Sequence, residues 1–170
     1  MIKISETNLA KYKDHIKYGD LFTNTGKAYL AQCISADIRL GAGIAVEFDR
    51  RFDMRFNIMF DRKMSEDNFM PGINYPVYLV KDVFNIVTKK FYYNKPTYES
   101  FKRGLGAMRT MISWHKENGL LKYNKVCMPM LGCGLDKLDP NNVIPIIDLY
   151  LGDLIDWEIW LLPEKNNKKS

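Results

Sequence analysis

Continuous apolar runs along the chain predict strands. Runs of about four to seven apolar residues are typical of strands that are covered on both faces of a sheet. A shorter, alternating pattern near the start breaks at Gly19, which predicts a strand that ends there. The predicted strands lie at residues 15–22, 28–34, 76–80, 83–88, 126–131 and 157–162. A tight connection through Lys81 and Asp82 joins the third and fourth strands.

Apolar positions at steps of three and four predict helices between these strands. The first predicted helix covers residues 44–52, and the longest starts at Pro96-Thr97 and stops near Asn118-Gly119. Asp139-Pro140 predicts the cap and first turn of another helix. The apolar face of the longest helix is Tyr98, Phe101, Leu105, Met108 and Ile112. Residues 53–72 show no clear period, so we expect an irregular surface excursion.

Three residues stand out inside the predicted helices. Gly104 and Gly106 each weaken the longest helix by about 1 kcal/mol relative to alanine, so we expect them to serve close packing against the sheet. Pro145 should cost the last helix a hydrogen bond unless that helix begins later.

The order of these elements is β, β, α, β, β, α, β, α, β. That order predicts a single α/β domain with a mixed, largely parallel sheet and helices on both faces. We place the domain at residues 14–163. The polar residues 1–13 are predicted to be an N-terminal extension, and residues 164–170 a basic tail.

Composition narrows the class of protein. The 170 residues are 46% hydrophobic and 26% charged, which is typical of a globular protein. The sequence has neither an apolar stretch long enough to span a membrane nor the apolar core of a signal peptide. Cys33, Cys127 and Cys133 lack C-x-x-C spacing, and the chain has only His15 and His115. We therefore expect an intracellular, cytoplasmic protein with reduced thiols, no metal centre and no cofactor.

The net charge of +5, with a pI near 9.0, favours a polyanionic partner such as a nucleotide or a nucleic acid. The alternative is that part of the excess simply lies in the tail at residues 165–170.

Two glycine loops each follow a predicted strand, at residues 41–43 and 132–134. Backbone N–H groups in such loops are suited to hold phosphate. The first loop does not fit the dinucleotide fingerprint G-x-G-x-x-G, because its third glycine would fall at Val46. Loops at the carboxyl ends of parallel strands line one crevice, so the two loops could grip one diphosphate. The alternative is that both are tight turns with packing glycines.

Five motifs of the chain recur together in one known family. The motifs are Gly19-Asp-Leu-Phe22, Gln32-Cys-Ile-Ser-Ala-Asp37, Gly41-Ala-Gly-Ile-Ala-Val46, Val87-Thr-Lys-Lys90 with Lys95-Pro-Thr-Tyr98, and Met128-Pro-Met-Leu-Gly-Cys-Gly-Leu-Asp136. Together they resemble macrodomains, with the best match in the branch of the terminal ADP-ribose protein glycohydrolase. That branch includes the antitoxin that removes ADP-ribose from DNA and related ADP-ribose-1″-phosphate phosphatases. The resemblance extends from about Tyr18 to Leu162 and implies a three-layer α/β/α fold that binds ADP-ribose.

The resemblance also implies positions for the ligand. Asp20 would accept a hydrogen bond from the adenine amino group, and Leu21 would line the base pocket. Ser35 would contact the distal side of the ligand together with the first glycine loop. The full set of implied ligand-binding residues is Asp20, Leu21, Gln32, Ser35, Gly41, Ala42, Gly43, Ile44, Ala45, Thr88, Gly132, Cys133, Gly134 and Leu135.

Lys89 and Asp136 match the catalytic lysine and aspartate of the glycohydrolase branch. A lysine attacks an anomeric carbon only as the free amine, and burial favours that form. Lys89 ends an apolar strand, where burial is possible, and its neighbour Lys90 should point to the opposite face. Asp136 would act as general base. Without the resemblance, the two lysines would be surface residues and Asp136 a loop cap or a partner for Lys137.

The sequence therefore predicts an ADP-ribosyl hydrolase. Its substrate would be ADP-ribose linked to a carboxylate of protein, to an acyl group or to a nucleobase. The alternatives are an ADP-ribose-1″-phosphate phosphatase, a reader that binds ADP-ribose without catalysis, and a nucleic-acid-binding protein without an ADP-ribose site. The expected partners are ADP-ribose and ADP-ribosylated protein or nucleic acid, with no membrane, and the expected state is a monomer.

Overall fold

The computed structural model describes residues 3–66, 77–134 and 136–163. The α-helices are α1 (Glu6–Lys11), α2 (Ile44–Phe52), α3 (Met54–Glu66), α4 (Tyr98–Glu117) and α5 (Pro140–Leu151). The strands are β1 (Ile16–Tyr18), β2 (Tyr29–Ser35), β3 (Val77–Val80), β4 (Val83–Lys89), β5 (Lys125–Met128) and β6 (Asp156–Leu161). A short 3₁₀ helix covers Leu21–Asn24.

The strands form one mixed sheet in the order β1-β6-β5-β2-β4-β3. All neighbouring pairs are parallel except β3 and β4, which form an antiparallel hairpin. Lys81 and Asp82 connect the two strands of this hairpin with φ angles of 53° and 61°. Positive φ at both positions is typical of the two-residue turn that matches the twist of paired strands. The predicted tight connection and mixed, largely parallel sheet are confirmed.

Two hydrophobic clusters lie on opposite faces of the sheet. One contains Phe101, Leu105, Met108 and Ile112, the face predicted for α4, together with apolar residues of α5. The other cluster contains residues of α2 and α3, such as Phe48, Met54 and Ile58. Helices therefore cover both faces, and the predicted three-layer α/β/α architecture is confirmed.

The two glycines of α4 face different neighbours. A Cβ atom on Gly104 would lie 2.5 Å from Cγ2 of Ile86 on β4, so this helix approaches the sheet more closely than any side chain allows. A Cβ atom on Gly106 would be nearest to Tyr150 of α5, at 3.6 Å. Close packing against the sheet is confirmed for Gly104, whereas for Gly106 that expectation is wrong.

Two predicted elements differ from the structure. Residues 54–66 form α3 and are not irregular, and residues 67–76 lie outside the described residues. Met54 and Ile58 are buried one turn apart, but Phe56 and Phe60 are 63% and 58% exposed. Apolar residues thus occur on more than one side of α3, which hides its period. Strand β5 ends at Met128 because the next residue, Pro129, has no N–H group for a sheet hydrogen bond.

The N-terminal segment is docked where Pro145 interrupts α5. Proline cannot donate to the carbonyl four residues earlier, which belongs to Asn141. The side chain of Asn8 donates to that carbonyl at 3.2 Å, and the N–H of Ser5 donates to the Asn141 side chain at 2.7 Å. Tyr12 is 5% exposed and belongs to the core. The domain boundary at residue 13 stays a prediction, and the predicted tail lies outside the described residues.

Within the described part of the chain, no helix is both long and apolar enough to cross a membrane.

Candidate active site

The candidate site lies at the carboxyl edge of the parallel strands. Strand β2 lies between β5 and β4, and all three run in the same direction. Lys89 is the last residue of β4, and Asp136 follows β5. A contact between these two side chains must therefore pass over the end of β2, where the first glycine loop begins.

Lys89 and Asp136 make that contact. Lys89 Nζ lies 2.6 Å from Asp136 Oδ1, and their side chains are 14% and 15% exposed. The Lys89 ammonium and the Asp136 carboxylate thus form a partly buried ion pair, at a distance that allows a proton to pass between them. Lys90 is exposed and packs over the Phe91 ring at 5.3 Å, so Lys89 alone of the two lysines contacts Asp136.

The Cys33 thiol lies close to this pair and had no predicted role. Burial raises its pKa first, and the negative charge of Asp136 and the neighbouring Cys133 raise it further. Burial, together with Asp139, likewise raises the pKa of Cys133 to about 12. Both thiols are therefore neutral at pH 7 and add no charge to the site.

The two glycine loops lie at the same edge, as predicted. Gly43 caps α2 with φ 61° and supplies no side-chain hydrogen bond to the first turn, so the loop offers backbone N–H groups there. In the second loop, Gly132 has φ +70°, and the Leu138 N–H donates to its carbonyl at 2.8 Å. A Cβ atom on Gly132 would lie 2.9 Å from Leu138 Cδ1. Leu135 lies outside the described residues.

Asp37 links the loop after β2 to the loop after β4. One of its oxygens accepts from Ser35 Oγ, and the other accepts from the Tyr92 N–H at 3.1 Å. Partial burial opposes ionisation, but these hydrogen bonds and the charge of Arg39 hold the pKa of Asp37 below its ordinary value. Sequence reasoning missed this role. The available signal was the Ser35-Ala-Asp37 spacing, in which a hydroxyl stands two residues before a carboxylate.

Asp20 and Leu21 lie at the start of the 3₁₀ helix, at the β1 side of the same edge. Asp20 Oδ1 accepts from the Phe22 N–H at 3.0 Å, so the side chain caps this helix as a turn-forming aspartate does. Asp20 is an exposed residue, whereas Leu21 is 4% exposed and belongs to the core. Their contacts with adenine stay predictions.

Gln32 and Thr88 are the most deeply buried of the predicted ligand contacts that the structure describes, at 0% and 2% exposure. The Gln32 amide donates to Asn85 Oδ1 at 2.8 Å, inside the sheet. Their burial does not support a direct ligand contact, which stays a prediction. Across residues 3–66, 77–134 and 136–163, no group of three His, Cys, Asp or Glu side chains is arranged to hold a metal ion.

The fold and this edge define a macrodomain. No protein-family model matches the chain. Two curated relatives, the ADP-ribose glycohydrolase OARD1 of Homo sapiens and of Bos taurus, are each 36% identical over 133 residues, which is 76% of this chain and 78% of theirs. At this identity and coverage, the chain belongs to the macrodomain family, in the branch of the ADP-ribose glycohydrolases.

Solved structures agree on the fold. The macrodomain of Thermus aquaticus DarG matches with a TM-score of 0.62 and 21% identity, over 87% of this chain and 97% of that one. The macrodomain of Mycobacterium tuberculosis DarG matches with a TM-score of 0.62 and 22% identity, over 88% and 98%. Thermosipho africanus DarTG, solved in complex with ADP-ribose, matches with a TM-score of 0.63 and 20% identity, over 99% of this chain and 44% of that chain.

Proposed function

We propose that this chain binds ADP-ribose and hydrolyses the bond between its distal ribose and an acceptor, with Lys89 as nucleophile and Asp136 as general base. The observation that carries the proposal is the 2.6 Å contact between Lys89 Nζ and Asp136 Oδ1, both partly buried, at the carboxyl edge of the parallel strands. The names of the curated relatives, ADP-ribose glycohydrolase, support the same reaction class.

The pair can perform the reaction in two steps. Asp136 first takes a proton from the Lys89 ammonium, and the freed amine attacks the anomeric carbon of the distal ribose. The bond from that carbon to the acceptor oxygen breaks, and a carboxylate acceptor leaves with the bonding electrons and takes up the proton held by Asp136. The regenerated Asp136 carboxylate then removes a proton from the water that attacks the same carbon. The bond from that carbon to Lys89 Nζ breaks, ADP-ribose is released, and the amine regains its proton from Asp136.

The ligand would lie across the strand ends. Asp20 follows β1 and Lys89 ends β4, and these strands are four positions apart in the sheet. At about 4.8 Å between neighbouring strands, the two ends of the site are about 19 Å apart. A molecule with adenosine at one end and a second ribose at the other fits such a span. The two glycine loops, between these ends, would hold its two phosphates through backbone N–H groups.

A reader module is the main alternative, because it would bind ADP-ribose and leave it unchanged. Such a module needs the glycine loops, but it has no use for a partly buried lysine held against a carboxylate. We therefore favour the hydrolase. The acceptor candidates are a carboxylate of protein, an acyl group and a nucleobase. An ADP-ribose-1″-phosphate phosphatase would use the same pocket.

We further propose that the chain works as an intracellular monomer. The support for the compartment is chemical, since Cys33, Cys127 and Cys133 are free thiols.

The decisive experiment removes each member of the pair. Lys89→Ala and Asp136→Ala should each lower turnover of a glutamate-linked ADP-ribosyl peptide by about 10³-fold or more, since each removes a group that handles protons or bonds at the reacting carbon. ADP-ribose affinity, measured by calorimetry, should change much less. Separate assays with O-acetyl-ADP-ribose, ADP-ribosylated oligonucleotide and ADP-ribose-1″-phosphate identify the acceptor.

Lys122→Ala is the matched control. Lys122 also forms a lysine–aspartate pair, with Asp82 at 2.8 Å, but at the opposite edge of the sheet. Its loss should leave turnover unchanged. Wild-type turnover in the Lys89→Ala protein would overturn the lysine mechanism, and tight ADP-ribose binding without turnover of any substrate would make the chain a reader.

A further inference from the structure

The loop after Lys89 carries three exposed aromatic side chains, Phe91, Tyr92 and Tyr93, which we call the aromatic platform. They are 37%, 54% and 65% exposed. The rings of Phe91 and Tyr93 stack at 5.4 Å with 12° between their planes, and Tyr92 meets Tyr93 edge-on at 5.4 Å. Rings left at the surface in one cluster are unusual for a folded monomer and typically mark a binding surface.

The platform is held in a fixed shape by hydrogen bonds of its own loop. The Phe91 N–H donates to the Asn94 side chain at 2.9 Å, and the Asn94 N–H donates back to the Phe91 carbonyl at 3.0 Å. Asp37 holds the Tyr92 N–H from the neighbouring loop. The rings are therefore presented on an ordered turn, so less conformational entropy of the loop is lost when a ligand binds.

Two cations lie over rings of the platform. The guanidinium of Arg39 lies 4.5 Å from the centre of the Tyr92 ring, and the Lys90 ammonium lies 5.3 Å from the centre of the Phe91 ring. Arg39 lies between Ile38 and Leu40, which are buried and have φ angles of 52° and 47°. The sharp turn that these angles make keeps Arg39 at the surface while both neighbours enter the core.

The platform lies on the acceptor side of the proposed site. It begins two residues after Lys89, on the β4 side, whereas the predicted adenine site at Asp20 is on the β1 side. A substrate whose ADP-ribose extends from Asp20 to Lys89 would place its acceptor beyond Lys89, over the platform.

We propose that the aromatic platform, with Arg39 and Lys90, binds a single-stranded nucleic acid that carries the ADP-ribose on a base; this rests on the function proposed above. Every nucleobase has a flat face that stacks on an aromatic ring, and cations beside such rings bind the phosphates. The net charge of +5 fits a polyanionic partner. A peptide acceptor has no chemistry that requires both the three ordered rings and the two cations.

The test replaces the rings and keeps the backbone that Asp37 holds. The double variant Tyr92→Ala/Tyr93→Ala should bind an unmodified 12-nucleotide single-stranded DNA at least about tenfold more weakly than wild type, by fluorescence anisotropy at low salt. The ratio of kcat/KM for an ADP-ribosylated oligonucleotide to kcat/KM for O-acetyl-ADP-ribose should fall by a similar factor. Tyr92→Phe/Tyr93→Phe should restore both, because it restores the rings.

Trp114→Ala and Lys27→Gln are the matched controls. Trp114 is 54% exposed near the end of α4, and Lys27 is exposed just before β2, so both lie towards the opposite edge of the sheet. Neither change should alter the affinity for single-stranded DNA or kcat/KM for the ADP-ribosylated oligonucleotide. Arg39→Gln should weaken DNA binding and reduce its dependence on salt, since it removes a phosphate contact.

The outcomes separate this proposal from the function it rests on. Unchanged DNA binding in the double variant overturns the platform even if the hydrolase is active. A peptide substrate that loses turnover while the oligonucleotide does not would assign the platform to a protein acceptor and overturn the proposal. DNA binding that depends on the rings, in a protein that hydrolyses no substrate, would keep the platform and reject the hydrolase.

Discussion

The two glycine loops look alike in sequence, and each pairs a glycine that the fold constrains with one that it does not. Gly43 and Gly132 have positive φ, whereas Gly41 and Gly134 do not, and a Cβ atom added to either of these would meet nothing within 4 Å. Gly132 is packed against its own fold, since an added Cβ would lie 2.9 Å from Leu138 Cδ1 and φ is +70°. Gly41, in the other loop, has no positive φ, and an added Cβ there would meet nothing within 4 Å. The fold therefore requires a glycine at 132 and does not require one at 41. We expect Gly41 to let a ligand approach the backbone closely, because glycine has no side chain in the way.

Gly132→Ala should have the largest effect on stability among these predictions. A left-handed backbone costs an L-residue about 1–2 kcal/mol, and moving the Leu138 side chain adds about 1 kcal/mol. The free energy of unfolding should fall by about 2–3 kcal/mol, measured by urea denaturation. ADP-ribose binding should weaken as well, because the loop that follows would move. A loss below about 0.5 kcal/mol would show that position 132 tolerates a side chain and would contradict this prediction.

The architecture could be predicted where each element carries its own periodicity. The face of α4 and the close approach at Gly104 follow from the spacing of apolar residues and from one glycine in a helix interior. Helix α3 could not be predicted in this way, because exposed Phe56 and Phe60 blur the period set by Met54 and Ile58.

The site shows the same limit more sharply. Lys89 and Asp136 are 47 positions apart, and only the family resemblance predicts from the sequence that they act together. The contact of Asp37 with the Tyr92 N–H spans 55 positions, and no local sequence pattern predicts it. The family resemblance implies that Gln32 contacts the ligand, yet in the structure its buried amide N–H donates to Asn85 Oδ1 on the neighbouring strand. Periodicity reports local faces, whereas such contacts depend on the tertiary packing of the strand ends.

Gly41→Ala should separate binding from stability. The free energy of unfolding should stay equal or rise by about 0.4–1 kcal/mol, because alanine restricts the unfolded chain and meets no neighbour. ADP-ribose should bind about tenfold more weakly, since a methyl group would stand between the backbone and a phosphate. Calorimetry and urea denaturation measure the two quantities.

Gly43→Ala is the control for the same loop. Gly43 has φ 61° and ψ −149°, a conformation almost confined to glycine, so alanine should cost about 1–3 kcal/mol there. Unchanged ADP-ribose affinity in Gly41→Ala would show that no ligand approaches this loop.

The smallest expected effect is a pH dependence of the first loop, which Asp37 links to the Tyr92 N–H by a hydrogen bond. The folded-state pKa of Asp37 lies below its ordinary value of 3.8, although partial burial opposes the shift, because Ser35, the Tyr92 N–H and Arg39 favour the carboxylate. Its contribution is therefore fully present above about pH 4 and is lost as pH falls through the folded-state pKa.

Asp37→Asn should lower the free energy of unfolding by about 0.5 kcal/mol at pH 5, a small value because Asp37 is only partly buried and solvent screens its charge. The difference from wild type should shrink as pH falls towards 3, since other acids titrate in both proteins and cancel. Amide exchange at Tyr92 should become faster in the variant, whereas exchange at Leu138, bonded to Gly132, should not change. An equal stability difference at pH 5 and pH 3 would show that the charge of Asp37 does not hold the loop.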